Sequence, residues 1–269
     1  MKFIDKLLSA SRKNKSLLCV GLDPDRELMP EMGVLEFNKA IIDATADLVC
    51  AYKPNFAFYE AMGIEGLNIL KETIAYIPDG IPVIGDAKRG DIGNTAKAYA
   101  EALFTYFKVD AATVSPYLGF DSIEPFLRYE EKGIFILCRT SNKGATDFQD
   151  IRDGKGEPLF RVVARKALSW NSNDAIGLVI GATYPQELKE VRRLCPDMPL
   201  LIPGIGAQGG DLARSVKDGV DAHGEKAVIS ASRQVLYASR GDDFAEAARR
   251  SAQDLRDRIN EVLDRFGNR

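Results

Sequence analysis

The sequence predicts an α/β fold, a (β/α)8 barrel spanning residues 1–269 as a single domain, and three observations predict it. Mostly apolar runs of strand length recur eight times along the chain. Segments with helical periodicity lie between them. Polar and charged residues collect at the C-terminal end of nearly every run, the end at which such barrels build their sites. No Gly/Ser-rich linker or change in composition marks a boundary, and 269 residues is a routine length for one barrel.

The start, MKFIDKLL, is too charged for the apolar core of a secretory signal and reads as an amphipathic first helix. The strand-like runs follow at 17–23 (LLCVGLD), 48–55 (LVCAYKPN), 81–88 (IPVIGDAK) and 111–117 (AATVSPY). The second half adds 134–140 (IFILCRT), 175–182 (AIGLVIGA), 199–206 (PLLIPGIG) and 226–233 (KAVISASR). Each lacks strict alternation, as expected of strands buried on both faces of a parallel sheet. Helical spacing of apolar residues marks 95–107, 159–169, 186–194 and 243–266. The longest predicted loop runs from Asn142 to Pro158, rich in Gly, Asp and Lys, and is expected to be a surface excursion.

Composition narrows the function. At 45% hydrophobic and 28% charged residues the chain has the apolar mass for a large core. A net charge of −3 offers no electrostatic case for nucleic acid or an anionic membrane, and no apolar stretch approaches the ~20 residues of a membrane span. The expected location is cytoplasmic. Cys19, Cys50, Cys138 and Cys195 show no close metal-ligand spacing, so neither a zinc site nor a disulfide framework is expected. The one histidine, His223, lies in a polar segment with no nucleophile elbow and is expected to be a solvated loop residue.

The charged stretch that stands out is IPVIGDAKRGDIGNT, residues 81–95. On a strand, Asp86 and Lys88 share a face, and Asp91 lies beyond Gly90 past the strand end. Alone, such a pair is most simply a structural ion pair. The other strand ends carry Asp23, Lys53 with Asn55, Ser115, Arg139 through Ser141, Thr183 and Arg233. A ring of polar groups at matching strand ends is better explained by a polar ligand than by capping. After the seventh run, PGIGAQGGD (203–211) can bring backbone N–H groups to an anion, and Arg233 ends the eighth. Loops after strands seven and eight are the usual phosphate site of this fold, and the ligand is expected to be a monophosphate, because no second basic cluster is present.

These residues resemble a known family. The D-x-K-x-x-D spacing of Asp86, Lys88 and Asp91, continued by Ile92 and Thr95, is similar to the signature of the orotidine 5′-phosphate decarboxylases. The likeness extends through Asp23, Lys53, Thr140-Ser141, PGIGAQ and Arg233, and AYKPNFAFYE with SPYLG resembles the longer bacterial branch. Two details depart from the pattern: Arg233 sits in S-x-S-R rather than beside a glycine, and the loop after Asn142 is long. The resemblance implies decarboxylation of orotidine 5′-monophosphate to uridine 5′-monophosphate in pyrimidine synthesis, with no metal and no organic cofactor. It implies a homodimer in which Asp91 and Thr95 reach into the partner's site. It also implies roles: Lys88 as proton donor in an alternating array Lys53–Asp86–Lys88–Asp91, Asp23 and Thr95 on ribose hydroxyls, Ser141 on the pyrimidine edge, and Gln208 with Arg233 on the phosphate. The loop from Gly204 to Asp211 is then a lid on the phosphate.

Three other readings remain at this stage. A Mg²⁺-dependent decarboxylase or aldolase of sugar phosphates would share the barrel and motif. A Schiff-base aldolase would need a lysine that sheds its proton readily, and flanking carboxylates favour the charged form. A non-catalytic binder of a phosphorylated metabolite would have little use for a buried Asp/Lys cluster opposite its phosphate site.

Overall fold

A computed structural model describes residues 1–205 and 210–266 of the chain. Its eight strands are β1 (Leu18–Leu22), β2 (Ala51–Pro54), β3 (Ile84–Arg89), β4 (Ala111–Val114), β5 (Gly133–Arg139), β6 (Ile176–Ile180), β7 (Leu200–Pro203) and β8 (Ala227–Ala231). They hydrogen-bond in the order β2-β1-β8-β7-β6-β5-β4-β3, every pair parallel. Parallel bridges Tyr52–Val83 and Asn55–Asp86 join the two ends of that order and close the ring. The fold is the predicted (β/α)8 barrel.

All eight runs became strands, shorter than the apolar pattern suggested where proline intervenes. Pro116 lies just past the end of β4, and Pro82 precedes β3, offering its carbonyl to Tyr52 but no N–H. The predicted helix at 95–107 starts two residues earlier, at Gly93, and its last turn, Ala102–Tyr106, widens to a π-helix. The other three predicted helices appear as Leu159–Trp170, Pro185–Leu194 and Phe244–Arg265. Helices at Val34–Thr45, Gly63–Tyr76 and Leu212–Gly219 complete the outer layer. Among the described residues no helix is long and apolar enough to cross a membrane.

Side chains two apart on a strand share a face, so each strand sends every second residue into the barrel. At the N-terminal end this interior is apolar, with Cys19, Ile84, Ala111, Phe135, Val179, Leu201 and Val228 in one buried cluster. The first helix, Phe3–Asn14, plugs it from below with Phe3 and Leu7. The Phe3 ring stands edge-on to Phe135, centroids 5.8 Å apart, and occupies the space into which a Cβ at Gly133 would project. Glycine at 133 is thus a steric requirement of the plug. His223 lies exposed in the turn before β8, at this same end of the barrel. All four cysteines are buried and unpaired; burial pushes the Cys19 thiol up to about 12 and Cys195 to about 11.

Candidate active site

Two residues further along the same strands, the interior changes character. Ala51 is followed by Lys53, Ile84 by Asp86, Ala111 by Thr113 and Val228 by Ser230, all buried. Asp86 is the hub. Its Oδ2 accepts from Lys53 Nζ at 2.9 Å, and its Oδ1 accepts from Lys88 Nζ at 2.6 Å and Thr113 Oγ1 at 3.0 Å. Burial alone would raise the Asp86 carboxyl, but the charges of Lys53 and Lys88 outweigh it and hold the group well below the carboxylate range. Burial likewise pulls Lys53 down, and Asp86 with Asp23 reverses this, lifting it above the usual lysine range. Asp86 and Lys53 are therefore both charged at neutral pH.

Its two lysines differ in surroundings. The Lys53 side chain is 7% exposed, whereas that of Lys88 is 51% exposed and free to meet a ligand. Plain strand alternation does not place Lys88. The β3–β4 register shifts between Gly85 and Arg89, and Lys88 adopts a left-handed backbone with φ +47°. Its N–H donates to Thr113 Oγ1 at 2.9 Å, so one hydroxyl anchors both the bulge and Asp86. Such a conformation is uncommon for a residue with a side chain and persists where the surroundings hold it in place.

The array floors two adjoining cavities of about 210 and 350 Å³, which share Lys53, Asp86 and Pro203 as wall residues. The first extends towards Asp23, Gly204 and Arg233, the second towards Lys88, Thr140, Ser141 and Asn142. A larger groove of about 520 Å³, lined by Met29, Met32 and Glu36, lies away from the strand ends and holds none of these charges. Asp23 Oδ1 is buried with no hydrogen-bond partner among the described residues. Arg233 has no ion pair among them either, leaving its guanidinium open to an anion beside Gly204, which has φ +99°. No three His, Cys, Asp or Glu side chains among the described residues converge as a metal site.

Of the residues singled out in the sequence, Asp23, Lys53, Asp86, Lys88, Ser141 and Arg233 come together in this cleft. Asp91 and Thr95 do not line it. Asp91 Oδ1 caps its own neighbour, accepting from Ile92 N at 2.8 Å, and Thr95 is exposed. Gln208 lies outside the described residues, as does the tip of its loop. Ser115 packs beside Gly90, and Arg139 is buried away from the cleft against Tyr184 and Asp150. Their place in the polar ring is therefore structural.

Sequence reasoning missed Thr113 and Tyr237. Thr113 was legible, since it stands two residues after Ala111 on the inward face. Tyr237 was not, because its contact spans the chain. Its hydroxyl donates to the Asp23 carbonyl at 2.7 Å and accepts from Asp25 N at 2.6 Å, fixing the turn that carries Asp23. Burial pushes that phenol up to about 12, so it keeps its proton for the Asp23 bond.

The family model for orotidine 5′-phosphate decarboxylase / HUMPS matches residues 16–250. A curated orotidine 5′-phosphate decarboxylase of Dehalococcoides mccartyi is 56% identical over 270 residues, 99% of this chain and 100% of that one. The solved Leishmania donovani OMP decarboxylase matches with a TM-score of 0.88 at 42% identity, over 97% of this chain and 99% of that one. Leishmania donovani UMP synthase matches with a TM-score of 0.89 at 44% identity, but this chain spans only 56% of it. With Asp86 and Lys88 of the signature gathered with Lys53 in one cleft and likeness along the whole chain, the protein belongs to the orotidine 5′-phosphate decarboxylase / HUMPS family.

Proposed function

We propose that this chain, acting over 1–269 as one catalytic barrel, decarboxylates orotidine 5′-monophosphate to uridine 5′-monophosphate and CO2 with no metal or organic cofactor. The observation that carries the reading is the Lys53–Asp86–Lys88 array, preformed at the strand ends and facing an open arginine across one cleft. In the reaction the bond from C6 to the carboxylate carbon breaks, CO2 leaves, and the electron pair stays on C6. No adjacent carbonyl can take that pair up as an enolate. Stabilisation must come from fixed charge, and Lys88, with its ammonium aimed into the cleft, supplies both the charge and the proton that ends on C6. Asp86 and Lys53 hold Lys88 in place before the substrate arrives, so little reorganisation accompanies the chemistry.

The rest of the substrate follows the cleft. Arg233, with Gln208, takes the phosphate; the unpartnered Oδ1 of Asp23 takes a ribose hydroxyl; Ser141 meets the pyrimidine edge. Asp91 and Thr95 serve a second copy of the chain, Thr95 on the ribose and Asp91 as the fourth charge beside the partner's lysine. Two observations support this. Neither side chain belongs to its own cleft, and the segment that carries them and the turn after β4 bear exposed apolar residues, Ile92 at 54% and Tyr99 at 36% on the first, Tyr117 at 82% and Leu118 at 47% on the second, suited to a homodimer interface.

The test is to mix purified protein with orotidine 5′-monophosphate and follow the pyrimidine absorbance, with and without a chelator. The reading expects conversion to uridine 5′-monophosphate in both arms. Loss of activity with chelator restores the Mg²⁺-dependent alternative, and nucleotide binding without CO2 release restores the binder.

A further inference from the structure

The long segment after Ser141 runs over the surface as expected, but it is tied back to the barrel. It folds into short turns at Lys143–Ala145 and Thr146–Gln149 and returns to the end of β5. There the Gln149 amide pairs with Thr140 twice: Oε1 accepts from Thr140 N at 2.9 Å, and Nε2 donates to Thr140 Oγ1 at 2.9 Å. Thr140 Oγ1 in turn donates to Asn142 Oδ1 at 2.7 Å. Thr140, Ser141 and Asn142 all line the cleft on the side of Lys88. On the other flank, Thr183 Oγ1 donates to the Ser141 carbonyl at 3.2 Å, and Gly181 leaves the space that the Ser141 backbone fills.

The first hydrogen bond in this chain fixes the direction of the second. A backbone N–H can only donate, so Gln149 must turn its oxygen to Thr140 N and its amide nitrogen to the Thr140 hydroxyl. In the structure that hydroxyl donates to Asn142 Oδ1, so Asn142 Oδ1 is occupied. What remains of the Asn142 amide is its N–H₂, a donor.

We propose that Gln149 is a positioning residue that sets base selectivity: through Thr140 it fixes Asn142 as a hydrogen-bond donor at the pyrimidine edge. This rests on the proposed placement of the base against Thr140–Asn142. Uracil presents a carbonyl oxygen at C4, which accepts from such a donor. Cytosine presents an amino group there, and two donors face each other. Selectivity of this kind comes from leaving a polar group unpaired with the wrong ligand.

Two substitutions separate this role from a merely structural one. Gln149→Leu removes both bonds to Thr140. Gln149→Glu keeps both positions, but a carboxylate only accepts, so it draws the Thr140 hydroxyl proton away from Asn142 and releases the Asn142 amide to rotate. Dissociation constants of uridine and cytidine 5′-monophosphate are measured by calorimetry for wild type and both variants, beside thermal unfolding and orotidine 5′-monophosphate turnover. The wild type should prefer the uridine nucleotide, and both variants should lose about tenfold of that preference, the worth of one to two hydrogen bonds. Gln149→Glu should do so with an unchanged melting temperature. An unaltered preference in Gln149→Glu overturns the inference, as does a wild type that turns over substrate without preferring the uridine nucleotide. Absence of turnover in the wild type instead overturns the proposed function.

Discussion

The two ends of the barrel interior are built by the same strands and do opposite work. At the N-terminal end, Ile84, Ala111, Phe135 and Val228 close on Phe3 and Leu7 and exclude water. Two residues on, Asp86, Thr113 and Ser230 take the corresponding positions, and Lys53 joins them from β2. One step along these four strands exchanges apolar side chains for charges on β2 and β3 and hydroxyls on β4 and β8. The lower layer gains stability from burial; the upper layer is buried as deeply but must satisfy each charge with another. A bound polar ligand is what the upper layer leaves room for, with Asp23 Oδ1 and Arg233 still without partners among the described residues.

Substitutions at the two ends should therefore separate stability from activity. The largest stability effect is expected from Asp86→Ala, which strands the Lys53 ammonium in the interior and should lower unfolding free energy by about 3–5 kcal/mol in denaturant titration, as well as abolishing turnover. An unfolding midpoint close to wild type would mean that the array is not a coupled unit. Phe3→Ala, at the opposite end, should lower stability by about 3 kcal/mol through the cavity it leaves. Its kcat/KM on orotidine 5′-monophosphate should remain at the wild-type level, and a matching loss of activity would erase the distinction between the ends. Arg233→Ala should leave stability near wild type and weaken nucleotide binding by roughly 10- to 100-fold, the range of one charge-assisted phosphate contact. Unchanged affinity would remove Arg233 from the phosphate end.

The smallest effect concerns pH. Asp86 is held below its ordinary value of 3.8, so its contribution to stability is complete above 3.8 and is lost as pH falls through the depressed folded value. Lys53 is held above its ordinary value of 10.5, so its contribution is complete below 10.5 and is lost as pH rises through the elevated folded value. Between those limits the array should add no slope to unfolding free energy against pH. A slope near neutrality that vanishes in Asp86→Ala would show that one of the pair titrates there.

The barrel was legible in the sequence because buried parallel strands leave an apolar signature and because charges marked their ends. Asp86 and Lys88 were found for a sound reason that was not the whole reason. Their proximity depends on the bulge after Gly85 and the left-handed turn at Lys88, and no alternation rule encodes either. Arg139 shows the converse failure. It stands at a strand end like the others, yet its guanidinium packs 3.8 Å from the Tyr184 ring, near Asp150, because β5 has a second register shift between Leu137 and Arg139. The segment after Asn142 is the surface excursion its composition suggested, exposed over most of its length; its contacts with Thr140 are made by one Gln among several polar residues, and nothing local distinguishes it. Contacts across the chain, such as Tyr237 with Asp23, are set by closure of the barrel and carry no local signal.

The central claim, that the upper end performs chemistry through Lys88 while the charges around it hold the fold, is tested most directly by Lys88→Ala. Lys88 is half exposed, so its loss should change stability by no more than about 1 kcal/mol. The measurement is single-turnover conversion of orotidine 5′-monophosphate alongside calorimetric affinity for uridine 5′-monophosphate. The account predicts turnover reduced by several orders of magnitude with product affinity largely kept. Turnover near the wild-type rate in Lys88→Ala would contradict it.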